Sequence, residues 1–442
     1  MLGMSKQIAA LEISNREFRL IVGYVLDNKV DILYKTKRPL SVPFKDGDIF
    51  DIGSLSDDLA KINVVETESE HAKLTININE ISLILPPYGL NVYKSCKTTN
   101  TVSPVSKIDK IDISNALALV KKERLPNPND ELVDIIPNKF IIDGNKVYVE
   151  PPLNLESTTI SIDANVYTLP RKMVDDMKNS CEKAQIKVKK EIIAPLAVSY
   201  YASSLNFKYK TYILVDFSSS TTTLSFVGNN VLYASNYFSL GIDDLVDRIA
   251  NEFQISREEA MNLKNVYGLD LRKNSYNPAI AKTKDILGNE KTFTKDDLNV
   301  IIQQFLKEWI EYFNGSLKNL VSTVDMREDS AQNANIILVG LGSSLNGLKD
   351  YLLRVRPTNV LEIVNLDVVG ASEPEFINCL AAIYLSSRYR GALDDENKNR
   401  FPGVNREKEN KNKVVKNEYS ELDDELQNEV ILWMTDETIL NP

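Results

Sequence analysis

Histidine is almost missing from this chain. Its 442 residues carry one, His71, inside Glu68-Ser69-Glu70-His71-Ala72-Lys73. A Ser-His-Asp triad would have to run through that residue, and a site built on several histidines is excluded. A solvated turn residue is the simplest reading of it. Cysteine is scarce too: Cys96, Cys181 and Cys379 lie far apart with no C-x-x-C spacing. That argues against a disulfide framework and a cysteine zinc site, and fits a reducing compartment. An excess of positive charge is lacking. Lys and Arg number 52 against 62 Asp and Glu, and the net charge is −10. The basic residues are interspersed rather than striped, so no general nucleic-acid surface is expected. No apolar run of about 18 residues and no secretory leader is visible, and a cytoplasmic protein is expected. What remains is an ordinary globular composition, 43% hydrophobic and 26% charged, in a length that implies several domains.

The stretch around which the rest is arranged runs from Tyr212 to Val227. Ile213, Leu214 and Val215 form a short buried strand that delivers Asp216 to its end. Thr222, Leu224 and Phe226 alternate with Thr223, Ser225 and Val227, the period of a second strand. The two predict a β-hairpin with a carboxylate at its mouth and Ser218-Ser219-Ser220 at its tip. A tight turn of this kind can wrap a phosphate, because successive backbone N–H groups point into one concavity. Such a tip calls for glycine, which adopts positive φ freely and lets backbone approach a ligand. Three serines stand there instead. The N-terminal strands repeat the design: Ile8 to Glu12, the turn Ser14-Asn15, then Phe18 to Val25 and Val30 to Tyr34.

Between and after these hairpins the chain reads as follows. Ser54 caps a helix through Ile62, and Ile81 to Leu85 is extended. Pro86-Pro87 opens a separate unit reaching about Asn165, with a helix from Ser114 to Arg124 and strands at Asp134–Ile142, Val147–Val149 and Thr159–Ile162. Pro137 inside a strand marks edges open to strand or subunit contact. Arg171 to Ala184 is a helix, Lys187 to Ile193 a strand, and Pro195 starts a helix into the central hairpin. Helices follow at Ile242–Phe253 and after Ser256, where Glu259 completes a capping box. Residues 269–294 read as polar and turn-rich, and a long helix from Lys295 places Trp309 in a core. Ile336–Val339 is a strand ending in Gly340-Leu341-Gly342; a helix at Leu345, a strand at Val360–Val364 and a helix at Ile377–Tyr389 follow. From Asp394 mixed charge and asparagine predict disorder.

This order of parts resembles the duplicated core of the actin, sugar-kinase and heat-shock-chaperone ATPases, and within it the FtsA family of bacterial division proteins. Leu11-Glu-Ile13 with Ile21-Val-Gly23 resembles the family's first phosphate hairpin. Asp134-Ile-Ile-Pro137 through Phe140-Ile-Ile-Asp143 resembles a segment of its inserted subdomain. Ala194-Pro-Leu-Ala-Val-Ser-Tyr200 resembles the helix before its second hairpin, and Lys264-Asn-Val-Tyr-Gly268 its adenosine-side motif. The likeness covers residues 6 to about 391. It implies an α/β, actin-like fold: a duplicated ribonuclease-H-type core in two lobes, with an inserted α+β subdomain and a disordered C-terminal tail. The expected division is 1–85 with 166–209 for the first lobe, closed by the helix near 377–391. The insertion takes 86–165, the second lobe core 210–244 with 326–393, its helical subdomain 245–325, and the tail 394–442.

The resemblance also implies ATP and magnesium. Ser14, Asn15, Ser218, Ser219, Ser220, Thr221, Lys264, Gly340 and Gly342 would bind the nucleotide, and Glu12 and Asp216 would hold the metal through waters. Those two acids have a plainer reading, strand-end carboxylates that are solvated or cap a turn. The departures are many. The family's glycine and lysine of the first hairpin are Ser14, Arg16 and Glu17, and Gly-Gly-Gly-Thr of the second is Ser218-Ser219-Ser220-Thr221. Each lost glycine adds a Cβ where backbone must meet phosphate. Glu17 adds negative charge beside it, a cost on the order of kcal/mol. A degraded nucleotide site, and no efficient enzyme, is expected. The implied role is a division scaffold at the septum, linking FtsZ filaments to the inner face of the membrane and self-associating into protofilaments. The rival readings are an active Mg-ATP-dependent ATPase and a PilM-type assembly scaffold that does not act through FtsZ. Leu422, Leu426, Val430 and Trp433 form one apolar stripe among acids such as Glu421 and Asp424. Acidic residues oppose an anionic bilayer, so the tail is expected to recruit a protein partner, for instance a membrane protein.

Overall fold

The computed structural model describes residues 7–388 apart from 27–28, 70–71, 103–106, 206–208, 210, 230, 273–275, 285–289, 325–333, 356–360, 365 and 367. His71 and the tail from 394 lie outside the described residues. The chain opens with a meander of β1 (Ile8–Ile13), β2 (Glu17–Leu26) and β3 (Lys29–Pro39). Helix α1 (Ile52–Ala60) and a two-stranded ribbon, β4 (Val64–Ser69) with β5 (Ala72–Asn77), lead to β6 (Glu80–Leu85). Asp51 caps α1, accepting from the backbone N–H of Ser54 at 3.0 Å, so the cap lies three residues before the expected Ser54. Both residues are good caps; the helix takes the earlier one and keeps its Leu55 and Leu59 buried.

The unit after Pro86-Pro87 holds β7 (Asn91–Asn100), α2 (Lys110–Lys121), β8 (Asp130–Ile142), β9 (Lys146–Tyr148) and β10 (Thr159–Pro170), in sheet order β7-β10-β8-β9. Asp109 caps α2 and Asp112 closes a capping box, so the helix starts ahead of the expected Ser114. Pro137 sits at a register shift against β10, where a missing N–H does no harm, and short β9 pairs only with Phe140 to Ile142. Ile108, Ile113, Ile135, Phe140 and Ile160 form a core of its own.

The chain then rejoins the first sheet through α3 (Arg171–Lys183) and β11 (Lys187–Ile193), and α4 (Ala194–Ser204) leaves it. The second sheet is built from β12 (Thr211–Phe217), β13 (Thr222–Gly228) and β14 (Val231–Phe238). Helices α5 (Ile242–Phe253) and α6 (Arg257–Tyr267) follow. The stretch read as turns holds a hairpin, β15 (Ala279–Lys284) with β16 (Glu290–Thr294), before the 29-residue α7 (Lys295–Thr323). The ribbon's mostly exposed alternation of Lys and Thr carries little apolar signal, so periodicity alone misses it. β17 (Ile336–Val339), a 3-10 turn at Leu341–Ser344, α8 (Leu348–Val355), β18 (Leu361–Ile363) and α9 (Ile377–Arg388) complete the chain. Leu345 therefore ends a turn rather than starting a helix.

The two five-stranded sheets share one plan. The first runs β3-β2-β1-β6-β11 and the second β14-β13-β12-β17-β18. In each, an antiparallel meander is extended by two strands parallel to its innermost member. This is a duplicated α/β core of actin type. Continuous burial along β1 and β13 fits strands covered on both faces. Helix α9 covers β1 and β2 and packs on α4, although it comes last in the chain. On the second sheet α7 lays Phe305, Trp309 and Phe313 into the core, and the Trp309 indole donates to Thr222 Oγ at 2.9 Å. Among the described residues no helix is long and apolar enough to cross a membrane.

Candidate functional site

The two hairpins meet tip to tip. Glu12, near the end of β1, faces Arg19 of β2 directly across the ladder, and Asp216 faces Thr223 in the same way. Glu12, Ser14, Arg19, Tyr88, Asp216, Ser218, Ser219, Ser220, Thr221 and Asn378 line one pocket at the junction. Most of the expected phosphate-side residues are therefore brought together. Asn15 is drawn aside: its side chain accepts from the Tyr88 hydroxyl at 3.3 Å, and its carbonyl accepts from Phe44 N–H. Gly340 and Gly342 pack on the second hairpin instead of facing open space. A Cβ on Gly340, whose φ is +85°, would lie 2.3 Å from an Asp216 carboxylate oxygen. Lys264 is buried on α6, and burial lowers its amine's pKa against the opposing charges of Asp243 and Glu375.

Arg19 dominates the junction. Only 2% of it is exposed. One guanidinium nitrogen donates to Glu12 at 3.2 Å. The other donates to Glu17 and, across the cleft, to the Ser219 hydroxyl. Ser219 in turn donates to Glu17 at 3.4 Å. Burial opposes the charge on Arg19, but Glu12, Glu17 and Glu375 outweigh it and hold its pKa above the ordinary arginine value. The Asn378 amide, reaching in from α9, donates to the second Glu12 oxygen at 2.8 Å. The hydroxyl of Ser218 holds Asp216 at 2.6 Å. Burial, with the Glu12 charge adding, pushes the Asp216 carboxyl up to about 6. Further out, Arg16 at the tip of the first hairpin reaches Asp247 on α5 at 2.7 Å, and Arg257 holds both Asp243 and Asp247.

The second tip is fixed from below. The carbonyls of Ser218 and Ser219 accept from the first N–H groups of α5, those of Ile242 and Asp243, at 3.0 and 2.8 Å. A Cβ on Gly241 would strike the Ser219 carbonyl at 2.1 Å. The helix N-terminus, which favours anions, is spent on the protein's own carbonyls.

The residues at this junction do not fit a magnesium–nucleotide group. Glu12 has one oxygen on a guanidinium and the other on an amide. The free volume is about 40 Å³, room for a few waters, where ligand pockets run to roughly 300–1,000 Å³. Nor does Glu17 stand alone, since it pairs with the Arg19 guanidinium. Sequence reasoning passed over Arg19 and Asn378. Arg19 was recoverable, because an antiparallel register that starts at Ser14-Asn15 sets it opposite Glu12. Asn378 left no local signal, since 366 residues separate it from its partner.

Comparison with known proteins adds the following. No protein-family profile matches the chain. The chain is similar to the cell division protein FtsA of Bacillus subtilis strain 168, at 23% identity over 383 residues, 86% of this chain and 83% of that protein. It is similar to FtsA of Streptococcus pneumoniae serotype 2, at 23% over 394 residues, 88% of this chain and 80% of that protein. Among solved structures it resembles a chain of the PilM–PilN type IV pilus biogenesis complex, with a TM-score of 0.54 and 14% identity, covering 87% of this chain and 99% of that one. The last likeness speaks to the fold alone.

Proposed function

Since the chain is a divergent FtsA-like protein of actin fold, we propose that it works as a cell-division scaffold through its surfaces, with a degenerate nucleotide site. It would link FtsZ filaments to the inner face of the membrane or to other division proteins. The observation that carries this reading is the similarity to FtsA along 86% of the chain, joined to a hairpin junction filled by Arg19. The unit at 86–165 would supply the contact for protofilaments, through the long edge of β7 and the part of β8 beyond β9. The α5–α7 region, 245–325, would meet FtsZ, and the tail from 394 would take a protein partner. The active-ATPase reading is disfavoured by the filled junction. Co-sedimentation with FtsZ filaments tests the proposal. More of the protein should pellet with FtsZ filaments than sediments without them. No excess in the pellet would leave the PilM-type assembly scaffold as the better reading.

A further inference from the structure

We propose that the Arg19 guanidinium is a built-in clamp that keeps the two lobes closed, in the place where a bound ligand would otherwise do so. This rests on the reading of a scaffold without nucleotide turnover and deepens it. Arg19 belongs to the first sheet and is tied there to Glu12 and Glu17, yet the same guanidinium reaches Ser219 of the second hairpin, 200 residues away. Other contacts cross between the lobes around it, and Leu214, Leu232 and Ile337 join the first lobe's core. Arg16 meets Asp247 at 2.7 Å, the Ser239 hydroxyl donates to Asp46 at 2.7 Å, and the Tyr88 and Tyr237 rings pack edge to face at 4.9 Å. Glu12 and Glu17 together carry more negative charge than Arg19 balances, and Asp216 stands beside them. An anionic ligand would have to displace a buried, charge-assisted guanidinium and then meet three carboxyl groups. A ligand closes a cleft only through tighter binding to the closed state. Where internal contacts have already made that state, no such difference is left to exploit.

Interlobe distance reads this directly. Spin labels go on Val42→Cys in the first lobe and Val266→Cys in the second, both exposed, in a Cys96→Ser background. Cys181 and Cys379 are buried with raised thiol pKa values and stay unlabelled. The expected result is one narrow distance distribution, unchanged by Mg-ATP or Mg-ADP, with no change in thermal midpoint. Arg19→Gln should add a second, longer population. Should that variant fail to fold, the double variant Arg16→Gln, Ser219→Ala leaves the Glu12–Arg19–Glu17 cluster of the first sheet in place and should show the same longer population. A wild-type distribution that moves on adding Mg-ATP overturns the proposal. So does a double variant that keeps the single narrow distance. FtsZ co-sedimentation is scored separately on the wild type, so the scaffold reading and the clamp can fail independently.

Discussion

Glu12 and Asp216 stand at corresponding places of two sheets with one strand order, yet their surroundings differ. Glu12 has a buried arginine opposite it on β2 and an amide from α9. Asp216 has Thr223 opposite it and the hydroxyl of Ser218. The first acid is answered on both oxygens. The second has neutral partners, and burial, with the Glu12 charge adding, raises its carboxyl to about 6. Duplication thus preserved the strand–acid–turn geometry while the charge balance moved to one side. Across the strand the two hairpins differ in Arg19 against Thr223.

Arg19→Met should cost the most stability. It leaves the buried Glu12 and the half-buried Glu17 without their cation, and losing one partner of a buried ion pair costs about 3–5 kcal/mol. Urea unfolding should show that loss as a lower midpoint with an unchanged slope. A loss under about 1 kcal/mol would mean that water, not Arg19, solvates the two acids.

Asp216 is the test of the other side. Its folded pKa is raised above the 3.8 of the free group, so its contribution to stability is fully present below about 3.8 and is lost as pH rises through about 6. Other carboxylates titrate in the same range, so the measured quantity is the stability of Asp216→Asn minus that of wild type. Between pH 5 and 7.5 this difference should rise in favour of the variant, by about 1 kcal/mol. A flat difference would show that burial does not raise the Asp216 carboxyl.

Much of this was legible in sequence because it is local. The central hairpin, its acid and its serine tip follow from β-branched runs around small residues, and β12 and β13 lie where the alternation of Thr222 to Val227 put them. The long helix from Lys295 announced itself by Phe305, Trp309 and Phe313 at helical spacing, while its Thr294 cap emerged only in the structure. The illegible part is what joins distant segments. Asn378 reaches Glu12 only because the last helix covers the first strands, and Gly340 is held to glycine by the approach of Asp216 rather than by a ligand. Helix starts slipped where several capping residues stood in a row, as at Asp51 and Ser54.

Within the first hairpin two arginines meet different fates. Arg16 and Arg19 lie three residues apart and each makes an ion pair, but their surroundings are opposite. The Arg16 side chain is 45% exposed and its partner Asp247 32%, whereas the Arg19 side chain is 2% exposed. Asp247 also keeps Arg257 at 2.9 Å when Arg16 is removed, so no charge is stranded. Water screens such a pair, and exposed pairs are worth about 0–1 kcal/mol. Arg16→Gln should therefore lower stability by no more than about 0.5 kcal/mol. The loss should shrink further in about 0.5 M salt, because screening acts on exposed pairs first, while the Arg19→Met loss should hardly respond. The two variants measured at low and high salt form one experiment. If Arg16→Gln cost as much as Arg19→Met, or if both losses fell equally with salt, burial would not be what distinguishes the two arginines. The account of the junction as a desolvated cluster with an exposed rim would then fail.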